Sequence, residues 1–242
     1  MRKSLLFLAW AAAPACLAGT LGANVAWTSQ YVSRGFQQTW GRPAWQGGVD
    51  YAGANGLQAG TWLSSVSGKF IEGGRVEWDL YAGYAATAGE LAYSAHLYSY
   101  RYPGARIGAS GLAYDYGELA LGLGFRWASL KYYRTLTRDF FGFPDARGTG
   151  YADLSAVAEL GGGLVLQAHA GAGRIRNWRD YDWNDYKIGL AKSYAQGWTV
   201  SLAYTRGHGA TGAYDHYPAA GVAGETSNPL RGQIALSAGK TF

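Results

Sequence analysis

The sequence predicts an all-β fold, an antiparallel transmembrane β-barrel of about 12 strands with short periplasmic turns and longer extracellular loops. Three observations predict it. Apolar and polar residues alternate in run after run, most of them roughly 10 residues long, which is the length of a tilted strand crossing a bilayer. The connections alternate between tight Gly-rich turns and long loops. Aromatic rings fall at both ends of the outward faces, as interfacial girdles require. A soluble antiparallel sandwich also alternates, but its strands usually run about 5–6 residues.

The opening "MRKSLLFLAWAAAPACLAG" places Arg2 and Lys3 before an apolar run and then small residues. That layout predicts a signal peptide over 1–18, with cleavage after Ala18 or as late as Ala23, and a barrel over 24–242. The run falls short of the roughly 20 apolar residues a spanning helix needs. No later stretch comes near that length, which excludes a helical membrane protein. The only cysteine, Cys16, lies inside the segment. The preceding "APA" is a poor lipobox, so Cys16 is expected to leave with the signal, and the mature chain then has no thiol or disulfide. Without Arg2 and Lys3 the formal charge of +5 falls to about +3, which does not mark a nucleic-acid binder. The 37 Gly, 19 Tyr and 10 Trp suit secreted β structure.

Twelve alternating runs follow in order, near 24–35, 43–52, 57–66, 75–85, 90–100 and 116–126, then 127–137, 150–160, 163–173, 184–193, 197–206 and 231–242. "RVEWDLYAGYA" puts Val76, Trp78, Leu80, Ala82 and Tyr84 on one face, and Glu77, Asp79, Tyr81 and Gly83 on the other. "GELALGLGFR" opposes Leu119, Leu121, Leu123 and Phe125 to Glu118 and small residues. "GLVLQAHAGAG" and "GWTVSLAYTR" repeat the pattern. Tight turns are expected at 53–56, 86–89, Arg126-Trp127, 160–163 and 194–197, with long loops around 36–42, 67–74, 101–115, 138–149, 174–183 and 207–230. The outward rings near the periplasmic ends are Trp27, Tyr51, Tyr84, Tyr93, Phe125, Trp198 and Phe242. Tyr31, Trp45, Trp78, Tyr132, Tyr186 and Tyr204 form the other girdle. The final "RGQIALSAGKTF" alternates to the last residue, so Phe242 is the aromatic foot of the closing strand and the expected signal to the barrel-assembly machinery.

"TSQYVSRGFQQTWGRPAWQGGVDYAGANGLQAGTWLSSV" (28–66) resembles the opening signature of the TorF-type porin family, a Gram-negative group long catalogued as conserved hypothetical proteins. "EWDLYAGY", "YSYRYPGA", "LKYYRTLTRDFFG", "GYADLSA" and the terminal "LSAGKTF" extend the resemblance in order over nearly the whole chain. It implies a signal peptide, an outer-membrane barrel and a pore. It brings no substrate and no functional residues. Lys240 departs from the aromatic or apolar residue common third from a barrel terminus, and its amine is expected to snorkel to water.

Sorting the charges by parity gives the candidate pore-lining residues Arg34, Asp50, Glu77, Asp79, Glu118, Lys131, Asp153, Glu159 and Lys187. With Asp185 and Arg126 the inward set holds seven acids against four bases, a weakly cation-favouring lumen. The same groups could instead pair across a plugged interior. The expected function is passive diffusion of small solutes. The alternatives are a non-conducting structural or adhesive barrel and, third, an outer-membrane lipid-modifying enzyme. No cofactor, metal site or enzyme is predicted: "GHGATG" (207–212) has no helix after it, and His96 and His169 face inward. Expected partners are outer-membrane lipids including lipopolysaccharide, met by an Arg-rich outer rim, along with the assembly machinery and small solutes.

Overall fold

A computed structural model describes residues 19–242; the expected signal peptide over 1–18, with Cys16, lies outside the described residues. Twelve long strands build one closed antiparallel barrel. They are β1 (Thr20–Thr28), β2 (Ala44–Ala52), β3 (Leu57–Ser65), β4 (Val76–Ala88), β5 (Leu91–Arg101) and β6 (Tyr116–Phe125), then β7 (Ala128–Thr135), β8 (Gly150–Gly161), β9 (Leu164–Arg174), β10 (Trp183–Ser193), β11 (Trp198–Gly209) and β12 (Gln233–Thr241). Each strand pairs with its chain neighbours, and β12 closes on β1 through Asn24 opposite Thr241 and Thr28 opposite Ser237. The closing leaves no free edge.

Parity sets the two surfaces. Leu21 is 75% exposed, Leu97 56%, Ile188 53% and Ile234 64%, all on the outward face. A belt of this kind around the whole barrel suits lipid rather than water. Turns occupy one end of the barrel and loops the other, and the two terminal strands both end on the turn side, where the Phe242 amide bonds the Ala23 carbonyl at 2.9 Å. Lys240 sends its ammonium over the rings of Trp198 and Phe242, 5.5 and 5.0 Å from their centroids.

The first strand differs from its expected 24–35. It begins at Thr20 and ends at Thr28, where the Thr28 hydroxyl donates to the Gln30 carbonyl at 2.8 Å and the chain bends into the barrel. Val32–Ser33 and Phe36–Gln37 then pair as a small hairpin. Arg34 and Gly35 form its turn with φ of 48° and 86°, the paired positive values of a tight primed turn. Tyr31 is therefore not a girdle residue: its ring packs on inward Trp62 and its hydroxyl donates to Glu77.

The apolar core sits at the loop end, not in the barrel wall. Phe70, Ile71, Tyr102, Phe140, Ile175 and Leu230 come from loops or strand-loop junctions and are nearly or fully buried against one another. Several inward glycines are covered by aromatic rings rather than left as open space. The indole of Trp62 lies over Gly48, the ring of Tyr81 over Gly60, and that of Trp183 over Gly173. Each glycine lets a ring from the adjacent strand lie flat on the wall, which only a residue without Cβ permits.

Candidate functional site

The barrel interior is the candidate site. Asp50, Glu77, Asp79, Glu118, Lys131, Asp153, Glu159 and Lys187 all lie on inward strand positions, in two zones. Glu77 and Glu118 lie in the loop-side half and are 3% and 1% exposed. Asp50, Glu159 and Lys187 are exposed, Asp50 and Glu159 towards the turn side. Asp79, Lys131 and Asp153 are intermediate. Arg126 belongs to neither zone, because it sits in the Phe125–Ala128 turn with φ of 52° and bonds exposed Glu90 at 3.0 Å. The inward excess of acids is therefore one base larger than parity gave.

Arg34 reaches the lumen from the hairpin rather than from a wall strand. Its two terminal nitrogens bond the two carboxylate oxygens of Glu118 at 3.1 and 2.6 Å. The Tyr133 and Tyr151 rings flank the guanidinium, with centroids 4.5 and 4.7 Å from its carbon. The Trp183 indole donates to the Arg34 carbonyl at 2.9 Å. Gly35 packs against Asp185 and Leu230, and the Gln37 amide bonds the Pro229 carbonyl at 3.0 Å. A planar, permanently charged guanidinium suits this seat, since it pairs bidentately and stacks on rings at once. At the hairpin's level every strand but β12 contributes a buried inward residue, among them Thr28, Ser64, Tyr151 and Thr205. The hairpin packs into the loop-side half of the lumen.

A second network adjoins the first on the inward faces of β8, β9 and β10, sharing Tyr151 with the Arg34 seat. His169 lies between two carboxylates, with Nδ1 3.1 Å from Asp153 and Nε2 3.0 Å from Asp185. The Tyr151 hydroxyl donates to both oxygens of Asp185 at 2.8 and 2.9 Å, and Ser155 donates to Asp153 at 2.7 Å. The Tyr151 hydroxyl also lies 3.1 Å from His169 Nε2, while the Ser155 hydroxyl bonds Asp153 and not the ring, so the order is not that of a serine activated by a base. Among the described residues no group of three or more His, Cys, Asp or Glu is arranged to hold a metal ion.

Glu77 and Asp79 stand two apart on β4. Glu77 accepts from Tyr31 at 3.3 Å, while Glu77 Oε2 and Asp79 Oδ1 have no hydrogen-bond partner. Asp50 accepts from the Tyr81 hydroxyl, and Lys131 faces Asp153 across the β7–β8 ladder. Tyr31, Tyr100, Tyr133 and Tyr151 were not read as site residues. Their signal was available in the "SRG" turn, which breaks the first alternating run and brings an arginine inside.

Outside the barrel wall, Glu225 latches the last loop over the hairpin. It accepts from Lys69 at 2.7 and 2.8 Å and from the Trp40 indole at 2.9 Å. The Lys69 hydrogen bonds hold its carboxyl below the ordinary value.

A family model described as "Bacterial protein of unknown function (Gcw_chp)" matches residues 11–229. The chain belongs to this family. No curated protein matches it. Among solved structures, the KdgM porin is similar with a TM-score of 0.58 at 6% identity, covering 91% of this chain and 99% of that one. The NanC porin gives 0.55 at 9% identity over 92% and 99% of the two chains. The COG4313 outer membrane channel from Pseudomonas putida F1 gives 0.52 at 12% identity over 99% and 100%. At these identities the likeness is one of fold: a closed, porin-like barrel.

Proposed function

We propose that the chain is an outer-membrane channel for passive diffusion of small solutes, with a weakly cation-favouring lumen that its first loop-side hairpin closes in this conformation. The carrying observation is the combination of a porin-like twelve-strand barrel with wet, charged inward positions below the hairpin. The resemblance to the TorF-type porins supports the same reading, with export on the 1–18 signal and assembly through Phe242. KdgM has been solved with disordered oligogalacturonate, a polyanion. The acid excess of this lumen argues for small cations and neutral solutes here instead.

One observation favours a second reading, a non-conducting structural barrel: the level of buried inward residues around Arg34, to which every strand but β12 contributes. Catalysis has no such support, since Ser155 bonds Asp153 and not His169. Single-channel recording of the purified protein in planar bilayers separates the first two. Discrete conductance steps are expected. A correctly folded barrel that never conducts, even with residues 31–38 replaced by a short Gly-Ser turn, would leave the structural reading.

A further inference from the structure

Charge on the barrel strands obeys one rule. All seven strand carboxylates, on β2, β4, β6, β8 and β10, face inward. Every strand arginine faces outward at the loop-side end: Arg101, Arg134, Arg174 and Arg206, on alternate strands. The outward lysines Lys192 and Lys240 lie at the turn side. Avoidance of the bilayer midplane explains why outward charges sit at the ends. It does not explain why none is acidic, or why arginine takes one end and lysine the other.

Two of the arginines share a local construction. On β7, Tyr132 and Arg134 point outward, and Arg134 stands opposite Gly150 of β8. The Tyr132 hydroxyl covers the bare Cα of Gly150. On β11, Tyr204 and Arg206 repeat the spacing, and the Tyr204 hydroxyl covers Gly232, just before β12. In both places a tyrosine and an arginine two residues further along share the lipid-side face at the loop end of the strand, the tyrosine hydroxyl over a glycine; on β7 the Arg134 guanidinium lies against Gly148, two residues before Gly150. Arg134 and Arg206 make no ion pair among the described residues, unlike Arg101 with Asp115 and Arg174 with Asp182. Arg174, half exposed and fixed by Asn184, also faces Gly150 from β9, which puts it about 10 Å from Arg134 across two strand spacings. A guanidinium fork beside a hydroxyl donor matches the oxygens of a phosphate monoester.

We propose that these two Tyr-x-Arg/Gly positions, Tyr132-Arg134 at Gly150 and Tyr204-Arg206 at Gly232, hold the phosphate groups of lipids in the extracellular leaflet, with Arg174 assisting the first. The proposal rests on the outer-membrane reading of the barrel, and not on conduction. The occupant is a phosphorylated lipid rather than free phosphate, because the sites lie against the apolar belt where acyl chains would cover Leu121 and Leu154.

The test uses the full barrel in neutral detergent, titrated with diphosphoryl lipid A, its phosphate-free form and inorganic phosphate, with bound lipid read by native mass spectrometry. The wild type should bind diphosphoryl lipid A about tenfold more tightly than the phosphate-free form, and the Arg134→Gln, Arg206→Gln double variant should lose most of that difference. Should the Gln variant not fold, Arg134→Lys, Arg206→Lys keeps the charge without the fork and should weaken binding about threefold. Equal affinity for the two lipids, unchanged affinity in either variant, or full displacement by inorganic phosphate would overturn the proposal. A protein that gives no heat-modifiable folded band and inserts into no bilayer would instead bring down the outer-membrane reading.

Discussion

Arg34, at the tip of a hairpin, and Glu118, on the wall of β6, meet in a bidentate ion pair at 2.6 Å with side chains only 15% and 1% exposed. They are 84 residues apart in the chain. The pair ties the hairpin to the inner wall, so on the channel reading it should govern how far the lumen opens. Removing one partner of a buried pair leaves the other charge uncompensated, at a cost of about 3–5 kcal/mol.

Arg34→Gln is accordingly expected to unseat the hairpin and raise single-channel conductance or open probability above wild type. Adding Glu118→Gln removes the stranded charge and should return conductance towards wild type. An Arg34→Gln channel indistinguishable from the parent would show that the hairpin does not control the path.

The Glu225 latch predicts a pH dependence. Its folded carboxyl titrates below the ordinary value near 4.5 because Lys69 and Trp40 donate to it. A depressed acid stabilises the fold above its unfolded pKa, and that contribution is lost as pH falls through the folded value. Acidification from about pH 5 downward should therefore loosen the last loop over the hairpin. The readout is hydrogen exchange at the Ala220 amide, which bonds the Lys69 carbonyl at 2.9 Å. Glu225→Gln should exchange faster at neutral pH and lose the acid step. Identical exchange in both proteins across the range would refute the latch.

The wall was legible because lipid outside and lumen inside impose a period of two on every strand, and a slip of one residue would invert every face. Leu119, Leu121 and Leu123 could hardly be read otherwise. The hairpin was not legible, because alternation runs on past Thr28 and the sequence-based strand carried Tyr31 and Arg34 with it. Only the Arg34-Gly35 turn marks the break. Parity also placed Glu118 and Asp185 inside, yet their partners Arg34 and Tyr151 come from distant segments, and such pairing leaves no trace in local spacing.

The terminus carries a prediction about assembly. Phe242 closes the ladder through its amide on Ala23 and lies within reach of the Lys240 ammonium. Deleting Phe242 removes an outward ring and the last interstrand bond while leaving the lumen untouched. Heat-modifiable folded protein in outer membranes should fall several-fold, whereas Lys240→Ala should have the smaller effect. Equal yields from all three chains would make the ending incidental to assembly.

Glu77 and Asp79 allow the sharpest test of the conducting path. Both project inward from one strand, and each keeps a carboxylate oxygen without a hydrogen-bond partner. Arg34, the nearby guanidinium, is already engaged by Glu118. If ions pass this wall, the two carboxylates should raise the local cation concentration, and the effect should fade as the Debye length shortens to about 3 Å at 1 M salt. Wild type should thus show modest cation selectivity at low salt, measured as the reversal potential under a salt gradient. A folded Glu77→Gln, Asp79→Asn double variant should lose most of it, and Glu159→Gln, at the exposed turn-side mouth, should lose little. Anion preference in the wild type, or an unchanged reversal potential in the double variant, would take these residues out of the path. The Arg34→Gln background sharpens the comparison, because withdrawing the hairpin exposes Glu77 to solvent and should enlarge the selectivity that the double variant removes.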